Sequence, residues 1–460
     1  MRGWKELTAE EFYDLRDERT RTLNTGAGAA LQKAKLALSI DEREAETLAG
    51  QLAFLLLVNL NARWCRDLRL RVPDIALHPE LHGLGDGNLP ALALRIARGA
   101  DPFGIFTVET DTDCPTMEAS VAVHVGGHGP NTSYPVVGRG WIAAAGQCVP
   151  TLSNHGEREN PLGAVLAACI GTCYAMRRSL NLTPLFSDVK LSLWNMAADD
   201  EILDGPLLRS MSLGRVLIVG AGAIGSGIAY LLPLIRPRIE CVMVVDGDIV
   251  DYPNLNRVPL FYADAVGSKK VDIVRSYLEG WGVRTDSISS WFEDAGLSLG
   301  KYDLLIPAAN ERGAREGIMD NNPPIMISGS TGSQWDAYQQ RHIPLVDDCL
   351  LCRFPPRKQI AQLTCSTGEI SQPESGAPKE TGALPFLSLA GAVMAVTEIA
   401  KLAYEQHPAH GNYSTLWFSG EVLDFVNATK AKRSKCSYCI NSEIFEVLGK
   451  HGLFAHFSAG

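Results

Sequence analysis

Short apolar segments alternate with helical segments in the second half of the chain, and this alternation predicts a mostly parallel, doubly wound sheet. The apolar segments are four or five residues long and cover 216–219, 241–245, 303–306 and 324–328. Stretches long enough for a helix separate them, as in β–α–β units. An irregular segment at 186–209 precedes the first of them, and we expect a domain boundary there.

The first half of the chain has helical patterns at both ends and a strand pattern between them. Helical patterns cover 5–23, 42–63 and 160–180. Thr8 and Glu11 have the spacing of a capping box at the start of the first helix. Region 68–149 is rich in glycine and proline and alternates in polarity at 120–125, which predicts strands joined by turns. No internal repeat is visible in the sequence.

Composition, net charge and the length of the apolar runs limit the kinds of protein that this chain can be. The 460 residues are 46% apolar and 20% charged, which is typical of a globular protein with two or three domains. A net charge of −10 argues against nucleic acid as a partner. The longest apolar run, 52–60, is too short to cross a membrane. Eleven cysteines without a signal sequence indicate a reducing compartment, so we expect a cytoplasmic protein without a membrane partner.

A glycine-rich turn joins the strand at 216–219 to a predicted helix. Gly220 suits a tight turn, Gly222 lets phosphates approach the backbone, and Gly225 lets the helix pack closely on the strand. Asp246 ends the next strand, where a carboxylate can bind ribose hydroxyls. On this pattern alone the ligand is a dinucleotide or ATP.

The residues that follow Asp246 resemble the adenylation domain of E1/ThiF enzymes, which activate ubiquitin-like proteins and sulfur carriers. The matching positions are Asp248, Asn254, Leu255, Arg257, Gly267 and Lys270. The resemblance implies that the ligand is ATP, that Asp246 holds its ribose, and that Asn254, Arg257 and Lys270 contact its triphosphate. Fixed cations suit this chemistry, because negative charge spreads over the phosphates when pyrophosphate leaves. Lys269, beside Lys270, leaves the assignment uncertain by one residue.

The chain departs from the family at the end of the next strand. The family usually has an aspartate there that serves Mg²⁺, whereas Asn310 occupies the position in this chain. An amide oxygen can bind Mg²⁺ but supplies no charge. Glu311 or Asp248 then takes over, or the metal depends on the triphosphate, or adenylation is slow or absent.

Two CxxC pairs predict a structural Zn²⁺ site. Cys349, Cys352, Cys436 and Cys439 supply four thiolates, which satisfy the tetrahedral preference of zinc. Their wide separation in sequence makes spacing alone a moderate signal, with buried free cysteines as the alternative. Many E1/ThiF enzymes carry the same paired arrangement.

A long loop at 355–383 lies between the two CxxC pairs and contains Cys365. E1 enzymes that form a thioester carry their reactive cysteine in the corresponding crossover segment. The resemblance implies that Cys365 takes the activated carboxyl group and passes it to a separate E2-like protein. The alternative is an incidental loop cysteine, since no histidine lies nearby in sequence.

Short motifs at 59–63 (NLNAR) and 160–164 (NPLGA) resemble the inactive adenylation-like domain of E1 enzymes from bacterial ubiquitin-like antiphage operons. The expected fold is therefore α/β, with a doubly wound Rossmann-like adenylation domain at 201–460 preceded by an α+β, inactive adenylation-like domain at 1–200. The resemblance also implies a homodimer. Dimeric ThiF-type enzymes bring an arginine to the partner's ATP, for which Arg16, Arg19 and Arg21 are candidates.

The leading hypothesis is an E1 that adenylates the C-terminal tail of a ubiquitin-like protein with ATP and forms a thioester on Cys365. One alternative of the same fold stops at the acyl-adenylate and supplies a sulfur-carrier pathway. A second, of another class, is a nucleotide-binding scaffold without turnover, which Asn310 makes credible. A nicotinamide oxidoreductase is disfavoured, because no acid/base pair for hydride transfer is recognisable.

Overall fold

The computed structural model describes most of the chain. The described residues are 3–21, 27–110, 119–127, 133–146, 149, 160–182, 188–309, 312–321, 323–344, 346–353, 384–404, 411–431 and 436. Predictions that concern Asn310, Glu311, Cys439 and the 355–383 loop with Cys365 lie outside these residues.

The first half of the chain forms an eight-stranded sheet with the order β3-β2-β1-β4-β5-β6-β7-β8. Its strands are β1 (Lys35–Ile40), β2 (Asp67–Arg71), β3 (Ile105–Glu109), β4 (Val121–Val125), β5 (Tyr134–Arg139), β6 (Ile142–Ala145), β7 (Val189–Ser192) and β8 (Ala197–Ala198). The first five strands in this order, β3, β2, β1, β4 and β5, pair parallel. The pairs β5–β6, β6–β7 and β7–β8 are antiparallel.

The second half forms another eight-stranded sheet, with the order β11-β10-β9-β12-β13-β14-β15-β16. Its strands are β9 (Ser212–Val219), β10 (Arg238–Val245), β11 (Thr285–Ile288), β12 (Leu304–Pro307), β13 (Ile325–Thr331), β14 (Asp336–His342), β15 (Tyr413–Trp417) and β16 (Asp424–Ala428). The pairing again changes from parallel to antiparallel after the fifth strand in this order. The two halves therefore share one topology, although no internal repeat is visible in the sequence.

Helices connect the strands and cover the sheets. They are α1 (Ala9–Arg16), α2 (Glu18–Arg21), α3 (Ala27–Lys33), α4 (Glu42–Ala45), α5 (Leu48–Asn61), α6 (Leu89–Ala100), α7 (Leu162–Ser179), α8 (Ala223–Leu231), α9 (Lys270–Gly280), α10 (Arg312–Asp320), α11 (Leu350–Arg353) and α12 (Pro385–Lys401). Together with the sheets they confirm the doubly wound α/β fold that the sequence predicts. No helix within the described ranges has both the length and the apolar character of a membrane span.

Local sequence explains several helix boundaries. The capping box forms as predicted: the Thr8 hydroxyl accepts from the Glu11 N–H, and the Glu11 carboxylate accepts from the Thr8 N–H at 2.8 Å. The helix predicted over 42–63 is divided in two, because Thr47 is extended and caps α5. A hydroxyl at this position competes for backbone donors and so starts a new helix.

The prediction of strands throughout 68–149 is wrong in part. Region 89–100 forms α6, which begins with Asn88 as its cap and Pro90 in its first turn. Its alanine-rich sequence buries one face, a helical pattern that the surrounding glycines and prolines obscure. The strands predicted at 120–125, 216–219, 241–245, 303–306 and 324–328 are confirmed within about one to four residues at their ends. The sequence patterns missed β1, β7, β8, β11, β14, β15 and β16.

Four long helices join the two sheets. The helices α5 and α7 cover one sheet, α8 and α12 pack against the other, and α7 contacts α12. One continuous apolar core includes residues of both halves. At the end of α7, the buried Arg177 donates to the Phe418 and Gly420 carbonyls at 2.7 and 3.0 Å. The two halves are therefore packed as one molecule.

Candidate functional site

A cavity of about 490 Å³ opens at the carboxyl ends of the parallel strands in the second sheet. It lies where the strand order changes direction, between β9 and β12, which is the usual ligand position in doubly wound sheets. Its size is ordinary for a small-molecule site. Of the predicted residues, Gly220, Gly222, Asp246, Asp248, Arg257 and Lys270 line it.

The glycine loop has the geometry that its sequence predicts. Gly220 has φ +95°, and a Cβ on it would lie 2.7 Å from the Ala309 nitrogen. A Cβ on Gly225 would lie 1.9 Å from the Gly220 oxygen, so this residue lets α8 pack against the loop. Gly222 is the N-cap of α8, and a Cβ there would meet nothing within 4 Å. A ligand can therefore approach the backbone at the start of the helix, where anions are favoured.

Asp246 follows β10 and faces this loop. Its carboxylate accepts from the Ala221 N–H at 2.6 Å and from the Asp248 N–H at 2.8 Å. Burial raises the pKa of Asp246, and the charge of Lys270 opposes that shift. The carboxylate thus fixes the loop and also presents acceptor oxygens to the cavity.

The structure distinguishes between the two adjacent lysines. Lys270 is 8% exposed, lines the cavity and pairs with Asp248 at 2.7 Å between Nζ and Oδ2. Lys269 is the N-cap residue of α9, is exposed, and lies outside the cavity lining. The placement favours Lys270 as the residue that faces a ligand.

Arg257 enters the cavity from a loop after β10. Its Nη1 donates to the Pro253 carbonyl at 2.6 Å and to Asn256 Oδ1 at 3.0 Å. Asn254, although described, lies outside the cavity lining, and its amide oxygen accepts from the Asp251 N–H at 3.0 Å. In this arrangement Asn254 shapes the turn at Tyr252–Asn254, and its contact with a triphosphate stays a prediction.

The first half of the chain contributes Arg19 of α2 to the cavity lining. Arg16 is buried instead and pairs with Asp101 at 2.7 Å. Arg21 donates to Asp14 at 2.6 Å, away from the cavity. Among the three candidates, Arg19 is the one that lines the cavity, and it does so within its own chain, so an arginine that reaches a partner's ATP stays a prediction.

Sequence patterns missed several lining residues. They are Ser290, Trp291, Phe292, Glu293, Asp294, Arg315, Ser328, Gly329, Ser330, Thr331, Gln340 and Ser388. The segment 290–294 follows β11, and 328–331 ends β13, so both lie at carboxyl ends of parallel strands. That position is the signal that could have identified them, once β11 was recognised. Trp291 is 49% exposed and gives the cavity an aromatic wall.

Three of the four predicted zinc ligands lie together. The Sγ atoms of Cys349, Cys352 and Cys436 are all within 4.8 Å of one another, and those of Cys349 and Cys436 are 3.5 Å apart. Thiolates around one zinc ion are separated by about 3.8 Å, so this donor set fits Zn²⁺. Leu350, within the first CxxC pair, also lines the cavity, so the cluster and the cavity are adjacent.

The cavity combines a glycine loop at the start of a helix, a carboxylate at the end of the next strand and several cationic side chains. These features define a doubly wound protein with a site for a phosphate-bearing ligand. A model of the ThiF family matches residues 199–439, which is more than half of the chain, and the chain belongs to this family.

Similar proteins include the uncharacterized protein y4jF of Sinorhizobium fredii, 26% identical over 71% of this chain and 62% of that protein. The adenylyltransferase and sulfurtransferase UBA4 of Meyerozyma guilliermondii is 26% identical over 48% of this chain and 51% of that protein. The chain thus spans less than two thirds of the length of these relatives. Among solved structures, E. coli MccB with ATP matches 49% of this chain and 66% of that chain, with 18% identity and a TM-score of 0.37.

Proposed function

We propose that this chain binds ATP in the cavity of the second sheet and adenylates the C-terminal carboxylate of a ubiquitin-like protein. The observation that carries the proposal is the convergence of Gly222, Asp246, Arg257 and Lys270 on one cavity of nucleotide size. The names of curated relatives, among them adenylyltransferases, support the same chemistry. The aromatic wall at Trp291 suits a nucleobase, which stacks well on such a ring.

The proposed reaction forms one bond and breaks one. A carboxylate oxygen of the substrate attacks the α-phosphorus of ATP, the bond to the β-phosphate oxygen breaks, and pyrophosphate leaves. Arg257, Lys270 and Arg19 offer cations to the negative charge that spreads over the phosphate oxygens. Because these groups are held by the fold before ATP binds, little reorganisation accompanies the reaction.

The domain assignment is part of the proposal: an inactive adenylation-like domain at 1–200 and an active one at 201–460. The shared strand order supports this division. In the second half, the glycine loop follows β9. At the corresponding place in the first half, after β1, the chain has Asp41, Glu42 and Glu44 instead. None of these residues is a glycine, so the first sheet lacks at this position a loop that lets phosphates approach the backbone.

Two metals accompany the proposed function. Cys349, Cys352 and Cys436, with Cys439 as the fourth ligand, would hold a structural Zn²⁺. Mg²⁺ would neutralise charge on the triphosphate, and Asp248 lines the cavity as an oxygen donor for it. The share of Asn310 in binding Mg²⁺ is part of the same proposal.

We further propose that Cys365 receives the activated carboxyl group. Its thiolate would attack the acyl-adenylate carbonyl, a thioester would form, and AMP would leave. A separate E2-like protein would then accept the acyl group by thioester exchange. The resemblance to E1 enzymes of antiphage conjugation operons motivates this step, and the chain is then expected to act in such a system.

The test of the proposed function is ATP–pyrophosphate exchange with a ubiquitin-like protein taken from the genes beside this one. Exchange that depends on that protein is expected. A sulfur-carrier adenylyltransferase would give exchange without any thioester. Binding of ATP with no exchange for either class of small protein would instead favour the non-catalytic scaffold.

Replacement of Cys365 tests the thioester step. Cys365→Ala is expected to keep ATP–pyrophosphate exchange and to lose the band that a reducing agent removes on a non-reducing gel. Cys241→Ala is the control, because Cys241 is buried on β10 outside the cavity and should leave the band in place. A band that persists in Cys365→Ala removes this residue from the mechanism.

Replacement of Arg19 tests the contribution of the first half. Arg19→Ala removes a cation from the cavity lining and is expected to weaken binding of the α,β-methylene analogue of ATP about tenfold. Isothermal titration calorimetry measures the Kd. Arg21→Ala, on the same helix but directed at Asp14, should leave the Kd unchanged. Equal effects of both substitutions would contradict a direct role for Arg19.

A further inference from the structure

Arg63, the second residue after α5, lies deep between the two halves of the chain. Its side chain is fully buried. Burial lowers the pKa of its guanidinium to about 10, which leaves it charged at neutral pH. Within the described part of the chain, no carboxylate forms an ion pair with it. A buried charge without a counter-ion is costly, so its hydrogen bonds need a structural explanation.

Those hydrogen bonds converge on one loop of the second half. Nη1 of Arg63 donates to the Leu255 and Phe261 carbonyls at 2.6 and 3.0 Å, and Nη2 donates to the Pro259 carbonyl at 2.8 Å. Asn59, one turn earlier, accepts from Nε of Arg63 at 2.9 Å and donates to the Pro259 carbonyl at 3.2 Å. A single rigid fork therefore fixes three carbonyls between positions 255 and 261.

This loop also carries Arg257, which lines the cavity. On its other side, Asn256 donates to Thr20 Oγ1 at 3.0 Å and accepts from Nη1 of Arg257 at 3.0 Å. The first half thus holds the loop from two directions, through α2 and through the end of α5. The path of the backbone through this loop determines the direction of the Arg257 side chain.

We infer that Arg63 is a positioning residue for the nucleotide site: it fixes the 255–261 loop so that Arg257 faces the phosphates. The inference rests on the proposed function, because it assumes that the cavity binds ATP. An apolar residue of similar volume could fill the space of Arg63. It would leave the buried carbonyls of Leu255 and Phe261 without the donor that Arg63 supplies, and that of Pro259 with Asn59 alone, so the loop would relax.

The test compares Arg63→Met with Arg177→Met. Arg63, just after α5, and Arg177, on α7, are both buried and both donate to backbone carbonyls of the second half. The carbonyls bound by Arg177 belong to Phe418 and Gly420, outside the cavity lining. We expect Arg63→Met to weaken binding of α,β-methylene ATP about tenfold, a shift of the size that loss of one charged contact produces. Arg177→Met should lower thermal stability without changing that Kd.

A double-mutant cycle with Arg257→Ala separates positioning from general destabilisation. If Arg63 acts through Arg257, then Arg63→Met has little further effect on the Kd in the Arg257→Ala background. Arg63→Lys, which keeps the charge and can reach one carbonyl, provides an intermediate case if Arg63→Met does not fold. Hydrogen exchange of peptides from 252–262 should become faster in either Arg63 variant, even without nucleotide.

An unchanged Kd in both Arg63 variants would overturn the inference. So would an equal loss in Arg177→Met, or a full tenfold loss that persists in the Arg257→Ala background. Failure of the proposed function has a different signature: the unmodified chain would then not bind α,β-methylene ATP. In that case faster hydrogen exchange in the 252–262 peptides would still show that Arg63 holds the loop. Its role in positioning Arg257 for a nucleotide would be wrong, because there would be no nucleotide site.

Discussion

Lys270→Ala is expected to lower the rate of ATP–pyrophosphate exchange about a hundredfold. The ammonium group is almost completely buried in the cavity and is held by Asp248. In such a site a fixed cation stabilises the developing charge of the transition state more than it would in water, and removal of one such group commonly costs 10²–10³ in rate. The substitution also leaves Asp248 without its cation, which adds repulsion towards the phosphates. Initial rates at saturating and subsaturating ATP give kcat and kcat/KM separately.

The chain provides a matched control in the next residue. Lys269→Ala changes the same side chain and the same net charge, but Lys269 is exposed and lies outside the cavity lining. Its exchange rate should stay within about twofold of the unmodified protein, since exposed charges contribute little. Equal losses in both variants would indicate that general electrostatics, rather than a contact in the cavity, determines the rate. A Lys270→Ala variant with normal exchange would remove Lys270 from the proposed mechanism.

Loss of the zinc site is expected to have the second large effect. Cys349→Ala should reduce bound zinc from about one ion per chain to none, because three remaining thiols cannot form a closed site. Structural zinc contributes about 10 kcal/mol or more of binding free energy in small zinc-finger peptides. We therefore expect Tm to fall by about 5 °C or more, and nucleotide affinity to fall as well, because Leu350 lines the cavity. Metal analysis, thermal unfolding and calorimetry measure the three effects.

Cys169→Ala controls for the loss of a buried thiol. Cys169 lies fully buried on α7, far along the chain from the cysteine cluster. The substitution should cost about 1 kcal/mol of stability through lost packing and should retain the zinc. If Cys349→Ala keeps its metal, or if Cys169→Ala loses it, the assignment of the cluster is wrong.

The sequence predicted β9, β10, β12 and β13, the central parallel strands of the second sheet, better than the strands of the first sheet, for a physical reason. Strands buried on both faces, such as β9 and β10, appear as continuous apolar runs that few other structures produce. In contrast, β1 (KLALSI) is a buried strand whose apolar residues are interrupted by polar ones. The shared topology was invisible because strand order is a property of long-range pairing, and unrelated side chains can satisfy it.

The residues of the candidate site also divide into those that the sequence could predict and those that it could not. Gly220, Gly222 and Asp246 lie within or directly after the segment β9–α8–β10, so their spacing places them together, whereas Lys270, at the start of α9, was assigned through the family resemblance. The position of Arg19 could not be derived in this way, because it depends on how α2 packs against the second half. The same holds for Arg63, whose three acceptors lie about 200 positions away in sequence. Such contacts follow from tertiary packing and carry no local pattern.

Two sheets of one topology within one chain have a consequence for how their shared interface can change. In an isologous dimer every substitution occurs on both faces at once, and a favourable contact on one side must be tolerated on the other. In this chain, the arginine at the end of α5 and the one at the end of α7 bind different loops, and each can be altered alone. The fused arrangement therefore lets one face specialise for holding the 255–261 loop of the proposed site while the other holds the two halves together. Two fused halves can differ at the two faces of their interface, whereas the identical subunits of a symmetric dimer cannot.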